Sequence, residues 1–131
     1  MLEPAGELRI ALTVENYEKS LSFYRNVLGL PLIQEWPSEE GRGALLSLKN
    51  ATLEILDEAH AAWVDKMEAG KRLSGQVRLA AQFQDLAAAM QAAKAAGARL
   101  VRGPIETPWK DLNARLVGPD GIQMTFFKKA G

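Results

Sequence analysis

Apolar and polar residues alternate along the segment LRIALTV at positions 8–14. Successive side chains of a strand point to opposite sides, so Ile10, Leu12 and Val14 would share one face and Arg9 would lie on the other. Strict alternation of this kind is typical of a half-buried strand. We therefore predict a strand here, with Arg9 on its second face.

A helical period follows this strand. Asn16 is a candidate N-cap, because its short side chain can accept a hydrogen bond from the first turn, and Gly29 supplies a C-terminal stop. Between them, apolar and aromatic residues recur at helical spacing: Tyr17, Leu21, Tyr24 and Leu28. The pattern predicts a helix over about 16–28.

Three apolar runs follow Pro31, namely LIQEW, ALLSL and ATLEIL. They are separated by the segment PSEEGRG and by the turn Lys49-Asn50, and both separators are rich in turn-forming residues. We interpret the three runs as an antiparallel meander. The first half of the chain thus predicts one strand, one helix and three further strands.

The same order of elements returns from Val77 onward. VRLAAQF predicts a strand, Asp85 a cap for a helix over 86–96, and Gly97 its end. RLV, NARLV and IQMTFF predict three more strands, and GPDG forms the last tight turn.

The two halves also correspond residue by residue. Arg9 corresponds to Arg78 on the first strands, and Glu54 to Thr125 on the last strands. Such a duplication indicates that neither half closes its own sheet.

We predict an α+β fold in one domain over residues 1–131, built from two βαβββ modules in tandem. The modules cover about 7–57 and 76–129, and they form a partly closed, curved sheet with the helices outside. Its concave face is the default ligand site.

We interpret the segment at about 58–75 as a connector between the two modules. We predict that it is helical around Ala59–Ala69 and flexible from Gly70 to Gly75. It contains His60, which we interpret as a solvated helix residue, and Trp63, which we assign to packing or an interface.

Charge and cysteine content narrow the function classes. Sixteen basic and sixteen acidic residues cancel, so the overall balance favours neither nucleic acid nor an anionic membrane surface. No run approaches the roughly 20 apolar residues that span a bilayer, and the first residues lack the pattern of a signal peptide. The sequence has no cysteine, which excludes disulfides and fits a reducing compartment. We expect a cytoplasmic protein.

Three phrases carry a resemblance to a known family: ALTVENYEKSLSFYRNVLGL, the ETPW of 106–109, and GPDGIQMTFF. They resemble the vicinal oxygen chelate superfamily, also called the glyoxalase, bleomycin-resistance and extradiol dioxygenase group. The resemblance covers nearly the whole chain and implies a homodimer. Because this superfamily holds both enzymes and drug-binding proteins, the resemblance leaves the function open.

The resemblance also implies where a metal would bind. In the catalytic members, first-strand and last-strand positions of each module supply His, Glu or Gln side chains to one divalent cation. Those positions are occupied here by Arg9, Glu54, Arg78 and Thr125. Only Glu54 is an ordinary ligand, since an arginine donates hydrogen bonds only and repels a cation. We predict that the protein holds no metal ion and no cofactor.

The arginines also permit a positive interpretation. If Arg9 and Arg78 flank Glu54 in the concavity, a surplus of positive charge would favour an oxygen-rich or anionic ligand. A purely structural ion pair, or arginines that extend to solvent, is the alternative. Trp36 and Trp109 are candidate walls for a planar ligand. Together with Thr125, these residues form the predicted ligand site.

Two hypotheses about function follow. The first is a metal-free protein that sequesters an apolar or aromatic, antibiotic-like molecule, as in the drug-binding, antibiotic-resistance branch. The second is a glyoxalase-like lyase or isomerase, or a dioxygenase-related enzyme, that acts on a small oxygen-rich substrate with Glu54 as base. A chain whose pocket is filled by its own side chains is a third, weaker possibility.

Overall fold

The computed structural model describes residues 4–48 and 50–129. Lys49, half of the predicted Lys49-Asn50 turn, lies outside the described residues. The strands are β1 (Pro4–Thr13), β2 (Leu32–Ser38), β3 (Gly41–Leu48), β4 (Ala51–Leu56), β5 (Val77–Phe83), β6 (Arg99–Glu106), β7 (Leu112–Val117) and β8 (Gln123–Lys128). The α-helices are α1 (Tyr17–Ser22), α2 (Glu58–Ala69) and α3 (Leu86–Ala95).

The described strands form one curved sheet in the order β2-β3-β4-β1-β5-β8-β7-β6. The meanders are antiparallel, as predicted, whereas β1 pairs in parallel with β4 and β5 pairs in parallel with β8. The register repeats between the halves, because Ala11 lies opposite Glu54 and Ala80 lies opposite Thr125. An antiparallel pairing of β1 with β5 joins the two halves.

The predicted helix caps are confirmed. The Oδ1 atoms of Asn16 and Asp85 accept hydrogen bonds from the backbone N–H of Lys19 and Ala88, each at 3.0 Å. Gly29 ends the first helical segment with φ of 77°. The predicted helix over 16–28 is α-helical only to Ser22, and a π-helical turn, Phe23–Val27, completes it.

The helices α1 and α3 pack against the outer face of the sheet, as predicted. Tyr17 and Leu21 of α1 join one buried cluster, and Leu86 and Met90 of α3 join the equivalent cluster in the second half. Each fully buried side chain of this size contributes about 1.5–3 kcal/mol. The outer face therefore supplies the two apolar cores, which leaves the inner face free for polar residues.

Helix α2 lies in a place that the sequence did not predict. It contacts β3 and β4 of the first half and β6 and β7 of the second, so it crosses the concave face instead of lying outside. Its start is fixed by Asp57, whose Oδ1 accepts from the backbone N–H of His60 at 2.8 Å. None of the helices in the described residues combines the length and the apolar character that a membrane crossing requires.

The position of α2 depends on Gly41. This residue has φ of 94°, and an added Cβ would lie 2.3 Å from the His60 backbone N and 2.4 Å from Asp57 Oδ1. Gly29, which also has a positive φ, has no atom within 4 Å of such a Cβ. The two glycines therefore share a backbone conformation and differ in their contact with α2.

We expect Gly29→Ala to cost about 1–2 kcal/mol, the penalty of a side chain in the left-handed region. Gly41→Ala is expected to cost about 1–3 kcal/mol more, because its methyl group overlaps the start of α2. Urea unfolding of both variants measures the difference. Equal costs would show that α2 does not pack against Gly41.

Candidate functional site

A cavity of about 500 Å³ occupies the concave face. Strands of both halves and α2 line it, and its volume lies within the range of small-molecule sites. All six residues of the predicted ligand site line this cavity: Arg9, Trp36, Glu54, Arg78, Trp109 and Thr125. The structure therefore brings together residues that are far apart in the sequence.

Glu54 lies at the floor of the cavity between two arginines. Its Oε2 accepts from Arg9 Nη1 at 3.2 Å, and its Oε1 accepts from Arg78 Nη2 at 3.3 Å. Glu54 and Arg78 are each only 6% exposed. A charge buried to this extent needs a partner, because its desolvation costs several kcal/mol. The two arginines therefore stabilise Glu54, and both of its oxygens are engaged.

The pairing continues through Thr125 to Glu68 on α2. Arg78 Nη1 donates to Thr125 Oγ1 at 3.0 Å, and Thr125 Oγ1 donates to Glu68 Oε1 at 2.6 Å. Glu68 Oε2 accepts from Asn113 Nδ2 at 2.9 Å. Glu68 was not among the predicted site residues. It places a carboxylate beside Thr125, the residue of the second half that corresponds to Glu54.

Arg115 anchors the far end of this set of contacts. It is fully buried and pairs with Glu68 at 2.9 Å and with Asp65 at 2.8 Å. We call the connected residues the buried charge chain: Arg9, Glu54, Arg78, Thr125, Glu68, Arg115 and Asp65. It joins β1, β4, β5, β7 and β8 to α2.

The carboxyl group of Asp65 connects α2 to the segment that follows it, through hydrogen bonds with Leu73 and Ser74. Burial by itself raises the pKa of this group. The carboxylate, however, accepts hydrogen bonds from the side chain and backbone N–H of Ser74 and from the backbone N–H of Leu73, and it lies near the charge of Arg115. These interactions outweigh burial and hold the pKa of Asp65 well below its usual range. A lowered pKa in the folded state contributes stability above the unfolded pKa, which is near 3.8, and this contribution is lost as the pH falls below it.

The predicted surplus of positive charge is wrong. Arg9 also pairs with Glu7, at 3.0 Å, and Glu68 adds a carboxylate that the strand positions did not reveal. Among the charged residues that line the cavity, two arginines face the carboxylates of Glu54, Glu68 and Asp111. The cavity therefore has no excess of positive charge with which to attract an anion.

One side of the cavity is aromatic. The His60 ring stacks on Trp36 with centroids 5.9 Å apart and lies 5.5 Å from the Trp63 ring, which is 5.7 Å from the Trp109 ring. We call these four residues the aromatic wall. It contains every tryptophan and the single histidine of the sequence.

The aromatic wall bears on two interpretations from sequence. His60 is 7% exposed, and its buried Nδ1 has no hydrogen-bond partner within the described residues, so it is not a solvated helix residue. Trp63, which we assigned to packing or an interface, packs against the rings of His60 and Trp109 and in addition lines the cavity. Both follow from the position of α2 on the concave face. The spacing of His60, Val64 and Glu68, each one turn from the next, was the signal for a shared helix face.

The residues at the four strand positions do not fit a divalent cation. Two guanidinium groups contact Glu54 where a cation would bind, and Thr125 is already bonded to Arg78 and Glu68. Within the described ranges, no group of three or more His, Cys, Asp or Glu side chains could hold a metal ion. These four positions therefore do not form a divalent-cation site in this chain.

Comparison with known proteins agrees with the fold. Residues 8–126 match the family described as the Glyoxalase/Bleomycin resistance protein/Dioxygenase superfamily. Proteins named lactoylglutathione lyase, from Neisseria meningitidis serogroups A and B, are 29% identical over 127 residues, which is 93% of this chain and 89% of theirs.

Solved structures with the same fold include a member of this superfamily from Vibrio splendidus 12B01, with a TM-score of 0.65 and 18% identity, over 98% of this chain and 100% of that one. Methylmalonyl-CoA epimerase from Mycobacterium tuberculosis has a TM-score of 0.63 and 20% identity, over 99% of this chain and 90% of that one. At these identities the likeness is one of fold.

The buried charge chain predicts unequal costs for its members. Glu54→Ala leaves the buried guanidinium group of Arg78 without a carboxylate partner and beside Arg9, and we expect it to cost about 3–5 kcal/mol of unfolding free energy. Arg78→Met is expected to be milder, because Glu54 keeps Arg9 and Thr125 keeps Glu68.

The control is Glu18→Ala. It removes an exposed carboxylate that pairs with Arg42, and it should cost at most about 1 kcal/mol. Urea unfolding compares the three variants. A Glu54→Ala protein as stable as Glu18→Ala would mean that water reaches the cavity floor and that the pairing is not essential.

Proposed function

The chain belongs to the glyoxalase/bleomycin resistance protein/dioxygenase superfamily, and on that premise we propose that it binds and sequesters a small, flat aromatic molecule in its concave cavity without a metal ion. An antibiotic-like aromatic compound is a ligand of this description.

The aromatic wall is the observation that carries this proposal. Three indole rings line one cavity, and an aromatic ligand stacked on such rings gains about 0.5–1.5 kcal/mol per ring beyond the burial of its apolar surface. Most pockets that bind small molecules combine apolar and aromatic walls with a few polar groups. Here Gln34 and Asn113 also line the cavity and supply amide groups.

The buried charge chain supports binding rather than metal-dependent catalysis. Its guanidinium and carboxylate groups are hydrogen-bonded to one another, so the floor is a set of satisfied polar groups. A satisfied floor requires no further ion for its stability. Each oxygen of Glu54 already accepts a hydrogen bond from a guanidinium group.

A metal-free lyase or isomerase is the second candidate. The Neisseria relatives bear the name of a lyase, and His60 brings to the cavity a side chain that transfers protons near neutral pH. Turnover of lactoylglutathione by the purified protein, lost in His60→Gln but retained in Glu54→Gln, would establish this candidate and displace sequestration. No turnover by the wild-type protein would dismiss it for this substrate.

We also propose that the protein forms a homodimer in the cytoplasm. The sheet ends at the edge strands β2 and β6, and exposed apolar residues, among them Val27, Leu28 and Ile33, lie on or just before β2. An edge strand beside apolar surface is a site that a second copy can cover. A solution mass near 14.3 kDa by light scattering at micromolar concentration would contradict the dimer.

Trp109 provides the test of the binding mode. It is 38% exposed at the edge of the cavity, so Trp109→Ala should leave the unfolding free energy within about 0.5 kcal/mol of the wild-type value. We expect the same change to weaken binding of planar aromatic compounds about threefold to tenfold, through the loss of one stacking contact.

Calorimetric titration with a panel of aromatic polyketides and quinones measures affinity independently of tryptophan fluorescence. Phe23→Ala is the control, since Phe23 is 47% exposed and does not line the cavity. If Trp109→Ala and Phe23→Ala bind the panel equally well, the aromatic wall is not the site.

A further inference from the structure

Asp111 stands apart from the other carboxylates of the cavity. Glu54 and Glu68 are hydrogen-bonded to arginines, whereas the Asp111 carboxylate makes no hydrogen bond and no ion pair with any residue in 4–48 or 50–129. It is half-buried, so it keeps part of its hydration. A charged group in this setting is available to a ligand.

The backbone holds Asp111 in place without using its side chain. The backbone N–H of Thr107 donates to the Asp111 carbonyl at 2.9 Å, and the Asp111 backbone N–H donates to Thr107 Oγ1 at 3.1 Å. Thr107 is buried. These two hydrogen bonds join Thr107, at the start of the turn, to the backbone of Asp111, at its end. The stability of the turn therefore does not depend on the charge of Asp111.

The same turn carries Trp109, and Trp109 lies 5.7 Å from Trp63. Both indole rings and Asp111 line the cavity. Indole is the aromatic side chain that attracts cations most strongly, and a carboxylate beside such rings adds direct electrostatic attraction. An unpaired carboxylate and two tryptophans thus line the same cavity.

The other carboxylates that line the cavity are already paired. Glu54 pairs with the lining arginines Arg9 and Arg78, and Glu68 pairs with Arg115. Asp111 is therefore the lining carboxylate that has no cationic partner among the described residues. An anionic ligand would be repelled at the place where a cation would be attracted.

We propose that the cavity selects ligands that carry a positive charge, such as an aromatic ring with a quaternary nitrogen or an attached ammonium group, through Asp111 and the rings of Trp63 and Trp109. This inference rests on the proposed binding of a flat aromatic molecule and specifies its charge. It replaces the anionic or oxygen-rich ligand that the strand arginines suggested.

Three probes with one ring system test the charge: 10-methylacridinium, neutral acridine and acridine-9-carboxylate, titrated calorimetrically at pH 7.5. We expect the wild-type protein to bind the cation about tenfold or more tightly than the anion, with acridine between them. Asp111→Asn should weaken binding of the cation about fivefold and change the affinity for acridine less than twofold.

Two matched variants accompany this one. Asp111→Glu keeps the charge and should retain most of the preference for the cation. Glu106→Gln removes a 70% exposed carboxylate that does not line the cavity, and it should leave all three affinities unchanged. Thermal melts confirm that each variant is folded.

The outcomes separate this inference from the proposed function. If acridine binds but the cation binds no more tightly than the anion, the charge selection is wrong and the aromatic site stands. Equal weakening of all three probes by Asp111→Asn, or an equal effect of Glu106→Gln on the cation, would also overturn it. If none of the three probes binds, the proposed aromatic site fails and this inference fails with it.

Discussion

The structure depends on one shared carboxylate, that of Glu54, which lies between Arg9 on β1 and Arg78 on β5. The strands β1 and β5 belong to different halves and are hydrogen-bonded to each other, so Glu54 links the halves at their seam. A buried charge that lost its partners would cost several kcal/mol. Each further buried group, from Thr125 to Asp65, is hydrogen-bonded or ion-paired to the previous one.

This requirement also determines where the connector lies. Glu68 and Asp65 are buried on α2, and their cationic partner Arg115 projects from the inner face of the sheet. The helix must therefore cross the concave face, and it brings His60 and Trp63 into the cavity. The ion pairs of Arg115 with Asp65 and Glu68 thus also position the aromatic wall. Electrostatic pairing and the lining of the cavity are consequences of one arrangement.

Local sequence signals predicted most of the fold, because alternation, helical spacing and caps act over a few residues. The cavity floor was located by the resemblance to the superfamily, which implies functional side chains at the positions of Glu54 and Thr125. The position of α2 could not be predicted in the same way. No short-range signal gave Glu68 a partner, because its partners Asn113 and Arg115 are 45 and 47 residues away in the sequence. The missing carboxylate led directly to the wrong expectation of surplus positive charge.

Metal content tests the central claim, that the guanidinium groups of Arg9 and Arg78 stand where a divalent cation would be bound. The protein would be incubated with zinc, nickel, iron and manganese salts, freed of unbound ions by gel filtration, and subjected to elemental analysis. If the guanidinium groups hold Glu54, no metal should remain at a stoichiometric level. A tightly held stoichiometric ion that is lost in Glu54→Ala would contradict the assignment of the cavity floor.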